Sequence, residues 1–404
     1  MKKFIAAISS LVMLGTVTSC TKNTDPADST TEATTAATTQ AADNDTEADT
    51  TEAPAATGDK TVGIAMPTKS LERWNRDGEY LKAQFEAEGY KVELKYSDND
   101  TNQQNNDIQG MIADEVDLLL IAAIDGESLS QTLDEAKDTG IPVIAYDRLI
   151  MNTDAVSYYV SFDNYTVGKL QGEYVAKALD LDNADGPFNI EFTAGDPADN
   201  NAGFFFNGAY DALKDYIDSG KLNIPSNKKK FEQVATAQWS TDTALENMQN
   251  TLASYYSDGT VLDVALCSND STALGVAQAI SSDYNGSNTP IVTGQDGDIA
   301  NLRNIVDGKQ SMTVYKNVSD EAGVSIEVSK AILSGKTPDA GLVSSLKAEA
   351  TYDTESYDNG VKVVPSYLLV PYVITKDDLQ KLVDTGLYQW DADNKYLEST
   401  ASTT

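Results

Sequence analysis

Residues 141–148 read IPVIAYDR, and this stretch decides the fold class of the chain. A strand covered by helices on both faces needs no alternation of apolar and polar residues, so the run from Val143 to Ala145 predicts a strand inside a parallel sheet. Asp147 and Arg148 follow it directly. In open α/β sheets, ligands bind beyond the carboxyl ends of the strands, so this acid and this base lie where a binding group is expected.

The same arrangement recurs at four later places, where an apolar run ends in polar or charged residues; these runs end near Phe192, Cys267, Gly294 and Tyr315. Predicted strands and helices alternate from residue 60 onward, and a second alternation begins after Asp163. Its strands are expected at residues 188–192, 231–236, 262–267 and 291–294. The pattern predicts two similar α/β units that face each other across a cleft.

Composition excludes several classes of function. The chain has 404 residues, a formal charge of −34 and a pI near 4.1, which argue against sequence-independent binding to nucleic acid or anionic lipid. It contains no histidine, so Ser-His-Asp and Cys-His nucleophile arrangements and histidine metal sites are excluded. Neither a G-x-G-x-x-G nor a G-x-S-x-G motif is found at a strand end. We therefore expect no catalytic residue, no metal and no cofactor.

The amino-terminal residues resemble a secretion signal. Residues 1–19 carry two lysines and then a short apolar run, typical of a signal peptide. Residues 17–20 read VTSC and resemble a bacterial lipobox, which predicts lipidation of Cys20; the alternative is an ordinary signal peptide with an incidental cysteine. Residues 20–59 are rich in Thr, Ala, Asp and Glu, and we expect a lipidated, disordered tether. Cys267 is expected to be a core thiol.

The residue types at the strand ends suit a sugar. A sugar presents hydroxyl groups that donate and accept hydrogen bonds, and a face of C–H groups that an aromatic ring can cover. Asp accepts, Arg and Lys donate, and Asn does both. The candidate binding residues are Arg73, Trp74, Asp147, Arg148, Asp199, Asn201, Trp239, Asn269, Asp296 and Lys316.

Several of these candidates also have a structural explanation. Trp74 falls in helical register with Leu71 and Leu81, so spacing alone favours a core position. The structural explanations for the rest are helix capping by Asp199 and Asn201, a surface ion pair of Asp147 with Arg148, a solvated strand end at Lys316, and a loop anchor at Trp239. The residues alone do not decide between these roles and binding.

Eight short motifs, in order along residues 60–388, resemble those of the sugar-binding proteins of bacterial ABC importers. They are LERW at 71–74, AYDRLI at 145–150, SFDN at 161–164, DPADNNA at 196–202, SND at 268–270, GQD at 294–296, VYK at 314–316 and NGVKVVPSYLL at 359–369. The similarity is to D-xylose-binding and multiple-aldose-binding proteins. It implies the type I periplasmic binding protein fold, in which two α/β lobes with doubly wound parallel sheets are joined by three crossing segments.

The resemblance also implies domain boundaries and a site. The N-terminal lobe is expected at 60–163 and 297–362, the C-terminal lobe at 164–296 and 363–391, and a tail at 392–404, with crossings near Asp163, Asp296 and Val364. The implied ligand contacts are the ten candidate binding residues together with Lys69 from the PTKS motif at 67–70.

The function implied by the resemblance is capture of one monosaccharide, xylose or a related aldose such as glucose, galactose or arabinose, and its delivery to an ABC permease. The protein is expected to be a monomer on the outer face of the cell membrane, held there only by its lipid, or in a periplasm if there is an outer membrane. A sugar sensor that acts on a membrane receptor and a secreted carbohydrate-active enzyme stay open as rival functions. A sugar-responsive repressor would need a basic helix-turn-helix at the amino end, where this chain has a signal sequence and an acidic tether.

Overall fold

The structure, a computed structural model, describes residues 59–400. The predicted signal peptide, Cys20, the tether up to residue 58 and the last four residues of the predicted tail lie outside the described residues. The described chain begins with an alternation of strands and helices: β1 Thr61–Met66, α1 Glu72–Ala87, β2 Lys91–Tyr96, α2 Thr101–Ala113, β3 Leu118–Ile121, α3 Ser130–Thr139, β4 Val143–Tyr146 and β5 Val156–Phe162.

A second alternation follows: α4 Asn164–Ala178, β6 Phe188–Thr193, α5 Asn200–Asp218, β7 Leu222–Asn223, α6 Phe231–Val234, α7 Thr241–Tyr255, β8 Val264–Cys267, α8 Asp270–Asp283, β9 Ile291–Val292, α9 Ile299–Asp307 and β10 Thr313–Tyr315. The remaining elements are α10 Val318–Leu333, α11 Ala340–Val343, β11 Ala350–Asp353, β12 Ser366–Leu369, β13 Tyr372–Ile374, α12 Leu379–Asp384, β14 Tyr388–Trp390 and β15 Leu397–Ser399. Two single 3₁₀ turns lie at Ala237–Trp239 and Lys376–Asp378.

The larger sheet has seven strands in the order β11-β12-β5-β4-β3-β1-β2, and every pair in it is parallel except β11 with β12. In β4, Ile144 belongs to one apolar cluster, whereas Val143 and Ala145 belong to another. Because successive side chains of a strand point to opposite faces, β4 is buried on both sides. This confirms the strand predicted from the continuous apolar run.

The smaller sheet has four parallel strands in the order β7-β6-β8-β9. It is extended by β10, since Val314 forms a parallel bridge with Gln295 just after β9, and β10 pairs antiparallel with β13. We call the larger sheet with α1–α3, α10 and α11 the larger lobe, and the smaller sheet with β10, β13–β15, α4–α9 and α12 the smaller lobe.

The strand predicted at residues 231–236 is wrong. Phe231–Val234 forms the short helix α6, and the side chain of Gln233 accepts hydrogen bonds from the backbone of Lys229 and Lys230 at its start. Only the end of the segment is strand-like: the backbone oxygen of Val234 accepts from Ala194, and Thr236 donates to Gly195. Local side-chain capping therefore replaces most of the sheet pairing that the apolar pattern indicates.

Strand pairing also differs from the expected lobe boundaries. After Asp296 the chain does not cross to the larger lobe, because α9 and β10 pack with β13 in one apolar cluster; the crossing lies between Tyr315 and Val318. Residues 366–369 were expected in the C-terminal lobe, but β12 pairs with β5 in the larger sheet, so the last crossing follows Leu369. The first crossing lies at Asp163, between β5 and α4.

Candidate functional site

A small cavity lies between the two lobes, at the carboxyl ends of both sheets. Its volume is about 30 Å³, which is room for about two water molecules. Nine of the residues predicted from the sequence line it: Arg73, Trp74, Asp147, Arg148, Asp199, Trp239, Asn269, Asp296 and Lys316. Leu71, Phe205, Ser271 and Gln295 complete the lining. The parallel sheets explain why these residues lie close together, because each sheet contributes residues that follow its strands.

Arg73, in the first turn of α1, connects acids of both lobes. Its Nε donates to both carboxylate oxygens of Asp77, at 3.2 and 2.9 Å, and the other two nitrogens donate to Asp147 at 2.9 Å, Glu321 at 2.7 Å and Asp296 at 3.1 Å. Every nitrogen of the guanidinium is thus paired with a carboxyl group. Because Asp296 belongs to the smaller lobe and the other acids to the larger one, this one residue holds the lobes together at the cavity.

Two of the acids around Arg73 have pKa values shifted in opposite directions. Burial raises the pKa of Asp147, but the charges of Arg73 and Lys316 outweigh this effect, so that its pKa lies below the ordinary range. Burial, together with the nearby charge of Asp147, holds the pKa of Glu321 well above its ordinary value. Asp147 therefore stays ionised to a lower pH than a free aspartate, and Glu321 keeps its proton to a higher pH than a free glutamate.

Lys316 and Arg148 form the other ion pairs of the cavity. Lys316 lies on the second crossing segment, and its Nζ donates to Asp147 Oδ2 at 2.9 Å and lies 3.6 Å from Asp296 Oδ1. Arg148 donates to the backbone oxygen of Ala123 at 3.0 Å. Its Nε lies 3.0 Å from Asp199 Oδ2, an ion pair without hydrogen-bond geometry. Each of these cations therefore joins the larger lobe to the smaller lobe.

Two tryptophans lie at the cavity, one from each lobe, and each is 4% exposed. Trp74 packs in the core of the larger lobe and also lies under the guanidinium of Arg148, whose carbon is 4.9 Å from the ring centroid. Trp239 donates from Nε1 to Asp199 Oδ2 at 3.2 Å and meets Phe205 edge to face, with 6.1 Å between centroids. Trp74 thus lies in the core, as its spacing indicates, and it also lines the cavity.

Some of the backbone strain of the described chain lies at or beside the cavity. Four residues other than glycine have positive φ here: Asp147 at 57°, Gln238 at 55°, Trp239 at 53° and Asp296 at 105°. Such conformations cost energy for residues with a Cβ, above all for a bulky one such as tryptophan. Strain of this kind persists only where the surrounding structure holds the residue in place.

Two of the predicted residues do not line the cavity. Lys69 is exposed, and its Nζ lies 4.8 Å from the ring centroid of Tyr96. Asn201 is buried behind the cavity, where it donates to the backbone oxygen of Asp147 at 2.6 Å and accepts from Tyr159 at 3.1 Å. Asn201 therefore supports the strained turn at Asp147.

The capping role considered for Asp199 is also correct. Its Oδ1 accepts from the backbone of Asn201 at the start of α5, while its Oδ2 meets Trp239 and Arg148. Asn269 likewise caps α8 by accepting from the backbone of Thr272. The cap and the cavity position coincide because both lie between a parallel strand and the helix that follows it.

Sequence reasoning missed the residues that complete the cavity and its surroundings. Phe205 lies inside the apolar run 204–206, and Glu321 inside the mostly apolar helix α10, so neither follows a strand. Glu321 could have been recognised from the sequence as an acidic residue in a mostly apolar helix, because a carboxylate on the buried face of a helix needs a partner. Cys267 is buried in β8, as expected for a core thiol.

None of the helices within residues 59–400 is long and apolar enough to cross a membrane. Over the same residues, no group of three or more acidic or cysteine side chains is arranged to hold a metal ion.

The protein has two α/β lobes, and a cavity lined by charged and aromatic side chains lies between the carboxyl ends of their strands. This arrangement is typical of a two-lobe ligand-binding protein. Residues 62–337 match the family model described as periplasmic binding protein domain. The chain belongs to this family, and it has the type I periplasmic binding protein fold.

Relatives with assigned ligands cover most of the chain. The multiple sugar-binding periplasmic receptor ChvE of Rhizobium radiobacter is 44% identical over 84% of this chain and 94% of its own length. The D-xylose-binding periplasmic protein of Escherichia coli is 35% identical over 80% of this chain and 88% of its own. An ABC transporter solute-binding protein from Clostridium phytofermentans, solved with β-D-glucose, is 50% identical, with a TM-score of 0.77 over 83% of this chain and 99% of its own.

Proposed function

We propose that this protein captures a monosaccharide aldose between its lobes and delivers it to the membrane subunits of an ABC sugar importer. The observation that carries the proposal is the cavity itself, where three ion-paired cations and two tryptophans from opposite lobes meet. This set of groups matches the hydroxyl groups and the C–H face of a sugar. The sugar-binding relatives support the same reading.

Binding would proceed by exchange of partners. A monosaccharide is far larger than the cavity of about 30 Å³, so it must separate side chains that now touch. The contacts across the lobes to be replaced include Arg73 with Asp296 and Arg148 with Asp199. Hydroxyl groups of the sugar would take over these donors and acceptors, and a group left without a partner would cost about 1–3 kcal/mol. The ligand-contacting residues in this proposal are the nine predicted residues at the cavity, with Phe205, Ser271 and Gln295.

We infer that the ligands are aldoses that form a pyranose ring, with D-glucose and D-xylose the first candidates. Structures of two relatives hold glucose, at 50% and 31% identity to this chain, and two more relatives are D-xylose-binding proteins. The two tryptophans would cover the ring, while the charged groups would select among epimers through paired hydroxyls.

The proposal includes an anchored monomer that performs no chemistry. Cys20 would carry the lipid that holds the protein outside the cell membrane, and the residues up to 59 would form its tether. Absence of turnover is supported by the lack of histidine and by the acids of the cavity, each of which already pairs with a cation. An acid and base for catalysis would need freedom to exchange protons with the substrate.

Isothermal titration calorimetry of the purified protein with D-glucose, D-xylose, D-galactose, L-arabinose and myo-inositol tests the proposal. We expect tight binding of at least one aldose and recovery of the sugar unchanged after long incubation. Failure to bind any of the four aldoses would refute aldose capture, and conversion of the sugar would favour the secreted enzyme.

A further inference from the structure

A second contact between the lobes lies outside the cavity, at the first turn of α9. The backbone N–H of Ile299, the first residue of α9, donates to both carboxylate oxygens of Glu72, at 3.3 and 3.2 Å. Glu72 begins α1 in the larger lobe, whereas α9 belongs to the smaller lobe. Asp298 occupies the N-cap position of α9 but forms no capping hydrogen bond with its side chain. The cap of this helix is thus supplied across the cleft.

Arg76 joins the same contact from the next turn of α1. Its Nη2 donates to the backbone oxygen of Asp296 at 3.0 Å, and its Nη1 lies 3.7 Å from Glu72 and 3.8 Å from Asp298. The side chain is 8% exposed, and its guanidinium carbon is 5.8 Å from the ring centroid of Tyr388. Most of the groups around this buried cation belong to the smaller lobe, so separation of the lobes would remove them.

Glu72 and Arg76 do not touch the cavity. The cavity is lined from α1 by Arg73 and Trp74, whereas Glu72 and Arg76 lie on the neighbouring stripe of the helix, four residues apart. One helix therefore carries the candidate sugar contacts and, beside them, a separate contact to the start of α9.

We propose that Glu72 and Arg76 form a latch that stabilises the closed form and thereby sets the strength of sugar binding without touching the sugar. This inference rests on the proposed function, since it concerns the same closure. A contact made only when the lobes are together favours the closed form by a fixed free energy. It therefore strengthens the binding of every sugar that closes the lobes by the same factor, and it leaves the preference among sugars unchanged.

The test uses substitutions at Glu72, which is partly exposed and so can change without leaving a cavity. Glu72→Ala removes both the charge and the acceptor for Ile299, and Glu72→Gln keeps an acceptor of the same length. Glu79→Ala is the matched control, because Glu79 is exposed on the same helix and loses the same charge. For each variant, we would measure the affinities for D-glucose and D-xylose by calorimetry and the melting temperature of the sugar-free protein.

For Glu72→Ala we expect binding about three- to tenfold weaker for both sugars alike, as for the loss of a helix cap. Glu72→Gln should recover part of this loss, and Glu79→Ala should bind as the wild type does. Wild-type sugar affinity in Glu72→Ala would overturn the latch but not the proposed function. A loss of affinity that differs between the two sugars would also overturn the latch, because it would place Glu72 in contact with the ligand. A wild type that binds no aldose overturns the proposed function and the latch with it.

Discussion

Gly195→Ala tests whether Trp239 must keep its present position for sugar to bind. Gly195 lies two residues after β6, against the face of the indole. A Cβ at this position would lie 1.9 Å from Cη2 of Trp239, 2.2 Å from Cζ2 and 2.3 Å from Cζ3. Carbon atoms in contact are separated by about 3.5–4.0 Å, so the ring must move by more than 1 Å, roughly, to accept the methyl group.

The indole cannot move without losing contacts. Its Nε1 donates to Asp199, and Phe205 packs edge to face against it. A hydrogen bond to a charged group contributes about 1.5–3 kcal/mol, and overpacking costs about 1–3 kcal/mol. Because the displaced ring would no longer offer its face to the sugar, we expect binding to weaken about 10- to 100-fold, as for loss of an aromatic contact at the centre of an interface.

Calorimetry with D-glucose and thermal melting of the sugar-free protein measure the two effects separately. Gly203→Ala is the control: Gly203 lies in α5 of the same lobe, and a Cβ there would meet no atom of the described chain within 4 Å. In the background of Trp239→Ala, the change Gly195→Ala should weaken binding no further, since its effect passes through the ring. Wild-type affinity in Gly195→Ala, or losses that add in the double variant, would refute this reasoning.

Three further predictions concern charge, pH and the anchor. Asp147→Asn, which tolerates the positive φ, removes the buried carboxylate charge that Lys316 and Arg73 share and should weaken sugar binding by about 2 kcal/mol or more; unchanged calorimetry would contradict this. Burial, together with the charge of Asp296, raises the pKa of Asp270 from 3.8 to about 8. Between these two pH values the folded protein keeps a proton that the unfolded chain releases, so the contribution of Asp270 to stability should be fully present below about pH 4 and be lost as the pH rises through about 8. Asp270→Asn should flatten this decline in melting curves, and an equally steep decline would assign it to other groups. Cys20→Ala should release the protein from the membrane fraction or leave its signal peptide uncleaved, whereas retention of a cleaved Cys20→Ala protein in the membrane would rule out the lipid anchor.

The cavity residues that follow the end of a strand could be predicted from the sequence. β4 is buried on both faces, which leaves a continuous apolar run, and the charged residues after it mark the end of the strand. Asp147, Asp199 and Asn269 each follow such a run. Because the carboxyl ends of parallel strands lie at one edge of a sheet, assigning the strands is enough to predict that these residues lie close together.

The features that could not be predicted depend mostly on contacts between residues that are far apart in the sequence. Glu321 meets Arg73 across 248 positions of sequence, and nothing in the local pattern of α10 indicates this partner. The expected crossing at Asp296 is displaced for a similar reason, since the bridge between Gln295 and Val314 keeps the chain in the smaller lobe. Residues 231–234 show the opposite case, where local hydrogen bonds to Gln233 form a helix in place of the sheet pairing that the apolar residues indicate.

The pairing of charges explains why a cavity so rich in ions suits a neutral ligand. Arg73, Arg148 and Lys316 are each paired with an acid that also lines the cavity. Among the lining residues that the structure describes, no cation is thus left over to balance an incoming negative charge. A sugar acid or sugar phosphate would have to take a cation from its present partner, which would leave a buried carboxylate unpaired at a cost of about 2–5 kcal/mol. Hydroxyl groups can insert between the partners because each both donates and accepts. The local pairing therefore favours a neutral ligand, whereas the net charge of −34 belongs to the chain as a whole.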